Sequence, residues 1–331
     1  MMQDKPIGYY LIGKLYPLRA PAKLNLRLKI TGRRLDGYHL LSMLNATLAL
    51  SDEMVVEFVD EPGVTCRMDG PAVVANEADN LVCKAYREFV SNLFGSERKV
   101  VGARCILTKF IPTGSGCGGG SSDAAALLRV LLLKLGSSLI TEGYLTKLEL
   151  LNQIDVIALK VGADVPYFLH GGLAAVTGIG EKISPIAESL QWPCPVLLVF
   201  PKVALPTPMI YEIQRKIPIQ EGLRDEALEA FIAEDINSLS QSEMVSKISG
   251  LVLNDLETAA IKVAPELKDY LDLMRALPDV TAGMTGSGSC LFLLPHRQMI
   301  KESEEISTLI QLLESHGARC KWTQFSNGIS V

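Results

Sequence analysis

The sequence predicts an α+β protein of two domains, with strands and helices mixed along the chain. Three observations carry that expectation. At 331 residues the chain exceeds the size at which one hydrophobic core usually stops growing. Residues 22–30, AKLNLRLKI, alternate apolar and polar side chains, the period of a strand with one buried face. Residues 121–136, SSDAAALLRVLLLKLG, concentrate alanine and leucine, which favour helix.

In the first strand Leu24, Leu26, Leu28 and Ile30 share one face, and Lys23, Asn25, Arg27 and Lys29 the other. Asp36-Gly37 reads as a tight turn before the apolar stretch 40–50, after which DEMVVEFV, 52–59, predicts a separate third strand. A later strand is expected over 100–110. The helix after the glycine loop has Ser121 or Ser122 as its expected N-cap and Asp123 in its first turn. Residues 144–169 predict another helix, closing near Gly162, with Asp164 in the turn beyond it. A glycine-rich hairpin over 171–186 and a buried strand with a proline-bounded exit over 194–213 follow. Polar helices near 222–248 and a mixture of helices and strands complete the chain. The expected domains are 1–174 and 175–331, with a final strand near 320–331 packing back on the first.

The net charge of −5 argues against a nucleic-acid or anionic-membrane partner, because both need basic surface. Lys5, Lys14 and Arg19 interrupt the apolar residues of the first twenty, so no secretory core is present there. No apolar run is expected to reach the length of a membrane span. The seven cysteines form no C-x-x-C pair and read as reduced core thiols of a cytoplasmic protein. The four histidines lack metal-ligand spacing, so no metal site is expected. A small molecule is the expected partner, and the chain a monomer or homodimer.

The stretch PTGSGCGGGSSDAA, 112–125, nearly spells the phosphate loop G-x-x-x-x-G-K-[ST] from Gly114 but lacks its lysine. Gly114, Gly116 and Gly119 also satisfy the dinucleotide fingerprint G-x-G-x-x-G. That reading needs a strand ending in an acidic residue after the helix, where residues 137–153 read as more helix. A flexible linker is the bland alternative. Against it, each of the five glycines, 114, 116, 118, 119 and 120, costs roughly 0.5–1 kcal/mol relative to alanine between a strand and a helix. Close approach of a phosphate to bare amides and the helix dipole explains that cost. A second glycine loop, GMTGSGSCLF at 283–292, reads from its residues as a hairpin turn. Neither loop contains G-x-S-x-G, which leaves a serine hydrolase without support.

The first loop resembles the second motif of the GHMP kinases, most closely that of the family's 4-diphosphocytidyl-2-C-methyl-D-erythritol kinases. PAKLNLRLKITGRRLDGYH (21–39), ADNL (78–81), GADVPYFLHGG (162–172), LPTPMIY (205–211), NDLE (254–257) and MTGSGSCLF (284–292) extend the resemblance in that family's order. Ser115 and Cys117 depart from it, and residues 1–15 and the longer helix before Gly162 have no counterpart. The resemblance implies a two-domain GHMP kinase fold, with an N-terminal ribosomal S5-like domain and a C-terminal ferredoxin-like substrate domain. It implies ATP and Mg²⁺ as cofactors and phosphorylation of the 2-hydroxyl of 4-diphosphocytidyl-2-C-methyl-D-erythritol. Homoserine- or mevalonate-type kinases are the nearest alternatives. A catalytically silent nucleotide-binding protein is another, although binding alone requires neither Lys23 nor Asp164.

Residue by residue, the resemblance places Lys23 beside the reacting hydroxyl and makes Asp164 the general base, the two forming a charge pair. Pro112, Thr113, Gly114, Ser115, Gly116, Cys117, Gly118, Gly119, Gly120, Ser121 and Ser122 form the phosphate cradle, with Asn80 and Lys109 near the adenine. Asn25, Tyr38, His39, Thr207 and Tyr211 face the cytidine and erythritol, and the second glycine loop closes over the phosphates or the acceptor. Taken from their residue types alone, Lys23 is a solvated strand lysine, Asp164 a backbone cap, His39 a turn residue and Tyr211 a packing aromatic.

Overall fold

The structure, a computed structural model, describes residues 5–70, 80–95, 98–141, 143–187, 194–218, 222–296 and 302–326. Its first sheet is built on two long antiparallel strands, β1 (Leu15–Arg33) and β2 (His39–Val59). β3 (Val64–Asp69) and β4 (Gly102–Thr108) extend it on the β2 side, and the hairpin of β5 (Leu173–Gly178) and β6 (Lys182–Ala187) pairs with the first half of β2. The second sheet takes β7 (Pro195–Phe200), β9 (Val280–Met284), β10 (Leu291–Pro295) and β11 (Arg319–Gln324), antiparallel in the order β11-β7-β10-β9. A two-residue strand, β8 (Leu253–Asn254), returns to the first sheet and pairs with β1. The second half of the chain is therefore stitched to the first.

Helix α1 (Leu81–Leu93) lies between β3 and β4 in sequence, and α2 (Gly119–Leu131) follows the glycine loop. α2 runs through a π-helical turn, Leu132–Gly136, into α3 (Ser137–Thr141). α4 (Lys147–Val161) starts from a capping box at Thr146 and closes at Gly162, and α5 (Val165–His170) follows Asp164. α6 (Thr207–Gln214), α7 (Glu226–Ile232), α8 (Gln241–Leu251), α9 (Glu257–Val263) and α10 (Glu266–Arg275) separate β7 from β9, and α11 (Glu304–Ser315) separates β10 from β11. The second sheet is thus a β-α-β-β-α-β arrangement of ferredoxin type.

Several expectations change. Residues 40–50 and 52–59 form one strand, because β2 stays paired with β1 throughout and Asp52 is buried within it rather than starting a new element. β1 is buried on both faces along its middle: Lys23, Asn25 and Arg27 are 3%, 1% and 8% exposed. Its polar face meets the second half of the chain, where the Asn25 amide donates to Thr285 Oγ1 at 2.9 Å and the Arg27 guanidinium binds Asp225. A register shift between Asn25 and Arg27 also breaks the single apolar face, so Leu24 and Leu26 join one core cluster and Leu28 and Ile30 another.

The residues 119–141 form a helix long and apolar enough by length and composition to cross a membrane, contrary to expectation. Just over half of its apolar window, 56%, is buried inside the protein, where α2 packs on β1, α1 and α5. The expected division at 174 falls inside β5, whose hairpin continues to Ala187, so we place the change of sheet after Ala187. The end of β11 does return to β2, through Leu48 with Phe325 and through the Leu50 amide donating to Thr323 Oγ1 at 2.9 Å. The last part of that expected strand, 327–331, lies outside the described residues.

Candidate active site

Between the first sheet on one side and α6 and the second glycine loop on the other lies a cavity of about 1230 Å³, also lined by the first glycine loop. The loop closes because Gly114, Gly116 and Gly118 take positive φ values of 72°, 81° and 72°, a region closed to most side chains. At Gly116 a side chain would also collide with the second glycine loop, since its Cβ would stand 2.4 Å from the Thr285 carbonyl oxygen. The Cys290 amide donates to the Ser115 carbonyl at 3.1 Å, and the Lys23 amide to that of Cys117 at 2.9 Å. Both glycine loops and β1 are therefore tied together at one point.

The N-cap of α2 is Gly118, not Ser121 or Ser122, and no side chain caps this end. The left-handed N-cap conformation favours glycine, and a Cβ there would stand 2.8 Å from the Phe168 ring and 3.1 Å from Lys23 Cγ. The first-turn amides, which have no intrahelical acceptor, thus begin at the cavity wall formed by Gly119, Gly120 and Ser121. An anion held there gains about 0.3–1 kcal/mol from the helix dipole, and up to ~2 kcal/mol where water is excluded. Asp123 lies one turn further in, buried, instead of on the first turn.

Lys23 and Asp164 meet in this cavity, with Lys23 Nζ 3.6 Å from Asp164 Oδ2. Asp164 holds the N-cap position of α5 but its side chain caps nothing, and it is 38% exposed against 4% for Lys23. The carboxylate is therefore open to a ligand. The Lys23 ammonium also donates to Asn25 Oδ1 at 2.5 Å, and Asn25 Nδ2 donates to Asn45 Oδ1 at 2.6 Å. Asn25 touches the cavity but is 1% exposed, so its side chain mainly fixes Lys23.

An aromatic group also lines the cavity, with Tyr211 close enough to Asp164 to feel its charge. The rings of His39 and Tyr211 lie 5.4 Å apart with a 36° tilt, while Tyr38 is 59% exposed beside them. Burial, with the guanidinium groups of Arg33 and Arg215, holds the His39 imidazole below its ordinary pKa, and so neutral. Burial pushes the Tyr211 hydroxyl well above the phenolic range. Thr207 Oγ1 and Ser287 Oγ are 2.8 Å apart, joining α6 to the second glycine loop.

The remaining expected residues divide. Pro112, Thr113, Gly114, Ser115 and Gly116 line the cavity with Gly118 to Ser121. Cys117 and Ser122 do not line it: they are 0% and 1% exposed, turned behind the loop. Asn80 lines the cavity and caps α1, its Oδ1 accepting from the Val82 amide at 2.8 Å. Lys109 reaches the cavity from below, but its ammonium is engaged by two carboxylates, Asp52 and Asp123. The sequence reading missed Asp52, Asn45, Thr285 and Arg215. An acidic residue inside the apolar run of β2 was the available signal for Asp52; the others carried none.

Residues 80–172 match the GHMP kinases N terminal domain and residues 227–303 the GHMP kinases C terminal domain. A curated 4-diphosphocytidyl-2-C-methyl-D-erythritol kinase of Thermus thermophilus is 34% identical over 275 residues, covering 82% of this chain and 85% of that protein. A crystal structure of 4-(cytidine 5'-diphospho)-2C-methyl-D-erythritol kinase superposes with a TM-score of 0.64 at 31% identity, covering 93% of this chain and 99% of the other. Homoserine kinase of Cytophaga hutchinsonii shares the fold at 17% identity, with a TM-score of 0.62 over 95% of this chain and 96% of that one. The chain belongs to the GHMP kinase family, whose members use ATP. Within that family, the relatives it matches over most of its length carry the name 4-diphosphocytidyl-2-C-methyl-D-erythritol kinase.

Proposed function

We propose that the protein transfers the γ-phosphoryl group of ATP to the 2-hydroxyl of 4-diphosphocytidyl-2-C-methyl-D-erythritol, giving the 2-phosphate and ADP. The observation that carries this reading is the Lys23–Asp164 pair, 3.6 Å apart, in one cavity with an uncapped helix N-terminus and a cluster of two tyrosines and a histidine. The amides of the glycine loop and of the first turn of α2 hold the nucleotide phosphates. Asp164 accepts the proton of the attacking hydroxyl, a step worth typically 10²–10⁴ in rate. Lys23, oriented by Asn25, neutralises charge as the phosphoryl group passes to the acceptor. Tyr38 and Tyr211 offer flat faces to the cytosine, and neutral His39 offers its edge a hydrogen bond.

Mg²⁺ fits this site as a companion of the nucleotide rather than as a resident metal. No group of three His, Cys, Asp or Glu side chains placed to hold a metal ion is found among the described residues, and Mg²⁺ characteristically binds through one or two carboxylates plus phosphates and water. Because Asp164 takes the hydroxyl proton, the ion would be held chiefly by the nucleotide phosphates and water, with Glu212 the other exposed carboxylate of the lining. The ion supplies charge neutralisation on the phosphate oxygens. The net charge of −5 disfavours a nucleic-acid or anionic-membrane partner, and seven cysteines without a C-x-x-C pair favour a reducing, cytoplasmic compartment.

The experiment is to incubate the protein with ATP, Mg²⁺ and separate alcohols, namely the cytidyl compound, homoserine and mevalonate, and to follow ADP release. Turnover with the cytidyl compound alone is the expected result. Turnover with homoserine or mevalonate moves the chain to another branch of the family, and ADP binding without turnover of any alcohol makes it a silent nucleotide-binding protein.

A further inference from the structure

Under the glycine loop lies a buried charge cluster that the transfer chemistry does not use. Lys109, 5% exposed at the end of β4, donates from Nζ to Asp52 Oδ2 and, at 2.6 Å, to Asp123 Oδ2. Asp52 Oδ1 accepts the amides of Phe110 at 2.5 Å and Ile111 at 2.8 Å, which fixes the chain entering the loop. The Lys109 ammonium stands 3.2 Å from the point where a Cβ on Gly119 would be, directly beneath the first residue of α2. The lysine of a lysine-bearing phosphate loop would fall at Gly120, the next residue; here the cation beside the loop comes instead from Lys109, on another element. Two carboxylates share that cation.

With both carboxylates ionised the trio carries one net negative charge under the phosphate site; with one protonated it is neutral. The hydrogen bonds decide which. Asp52 receives three donors, whereas Asp123 Oδ1 is buried with no partner among the described residues. An ionised oxygen in that position is costly, so of the two carboxylates Asp123, at Oδ1, is the one that accepts a proton. Burial raises the Asp123 carboxyl, Lys109 lowers it and Asp52 raises it, leaving it at about 7. Among the described residues those two are the charges acting on it, although β1, α1 and α5 also pack on α2. The nearest cation from β1, Lys23, is turned to Asn25 and Asp164 instead.

We propose that Asp123 is a positioning residue that takes up a proton when nucleotide phosphates settle on the glycine loop, which links nucleotide affinity to pH. The inference rests on the reading of the loop as a phosphate cradle. Anionic phosphate favours the neutral trio over the negative one, so binding draws a proton from solvent onto Asp123 Oδ1. Lys109 is then left to serve one carboxylate and the ligand.

The test is calorimetric titration of ADP into the full chain, in pairs of buffers with different ionisation enthalpies, from about pH 6 to about pH 9. The wild type is expected to take up about half a proton or more per ADP near pH 8, with affinity falling by up to about tenfold per pH unit above Asp123's free pKa. Asp123→Asn, which keeps the size and removes the titration, is expected to lose that uptake and to bind ADP with a flatter pH profile. ADP binding by the wild type without proton uptake overturns the proposal, and this arm needs no variant to fold. Equal uptake by Asp123→Asn also overturns it. Failure of the wild type to bind ADP at all overturns the cradle reading with it.

Discussion

The Lys23 ammonium and the Asp164 carboxylate stand 3.6 Å apart, one nearly enclosed and the other open to the cavity. Their strand and turn are remote in sequence, and the loop that joins them spatially is anchored to both: the Lys23 amide binds the Cys117 carbonyl, and Phe168 of α5 packs under Gly118. Replacing Lys23 by alanine is expected to lower kcat by about 10²–10⁴, the scale of one well-placed electrostatic or proton-transfer group. ADP affinity should change by no more than about twofold, because amides carry phosphate binding. Steady-state kinetics and titration of the same preparation check both.

Gly116→Ala separates close approach from mere flexibility. Its φ of 81° costs an alanine roughly 1–2 kcal/mol, and its new Cβ meets the Thr285 carbonyl oxygen at 2.4 Å, so the two glycine loops must part. A lowered melting temperature and at least about tenfold weaker ADP binding are expected. Gly114→Ala, also at positive φ but with open space around its Cβ, should weaken binding less. Equal effects at the two positions would contradict the packing argument.

Tyr38 is 59% exposed, so removing its ring should leave the melting temperature unchanged. Stacking of a base on an aromatic ring is worth about 1–3 kcal/mol. Tyr38→Ala is therefore expected to raise the KM for the cytidyl substrate by about fivefold or more and leave the KM for ATP unaffected. A parallel rise in both constants would place Tyr38 elsewhere than against the cytosine.

Arg27 and Asp225 join β1 to the second half of the chain through a bidentate contact of 2.7–3.0 Å, with the Arg27 Nη1 also on the Leu251 carbonyl at 2.9 Å. Burial raises the Asp225 carboxyl, but the hydrogen bonds and charge of Arg27 outweigh it and hold the group below its ordinary pKa. Because the folded value is the lower one, this stabilisation is complete above the unfolded pKa of about 3.9. It is lost as pH falls through the folded value. Asp225→Ala should cost about 3–5 kcal/mol near neutral pH by leaving a buried guanidinium unpaired. Urea melts near pH 7 and pH 3 should show that cost shrinking at the acid end.

Local signals made the glycine loop, its helix and the 171–186 hairpin legible in the sequence, whereas the Lys23–Asp164 pairing came from the family motifs alone, since their residue types read as a solvated lysine and a backbone cap. What was not legible depends on contacts between distant segments. Periodicity gave β1 a solvated face, yet Thr285 and Asp225 cover it from far along the chain. Serine preference for N-caps misplaced the start of α2, because a left-handed turn made Gly118 the cap. Asp52 looked like the end of one strand and the start of another. Its burial is tolerated only because Lys109 and two backbone amides meet it, and no local pattern announces that meeting.

Single-turnover transfer from ATP to the cytidyl alcohol by Asp164→Asn, with ADP affinity measured on the same sample, tests the central claim most directly. The predicted result is a rate reduced by about 10²–10⁴ beside nearly unchanged ADP binding and an unchanged melting temperature. A transfer rate close to that of the wild type would contradict the role of Asp164 as the base and the catalytic reading of its pairing with Lys23.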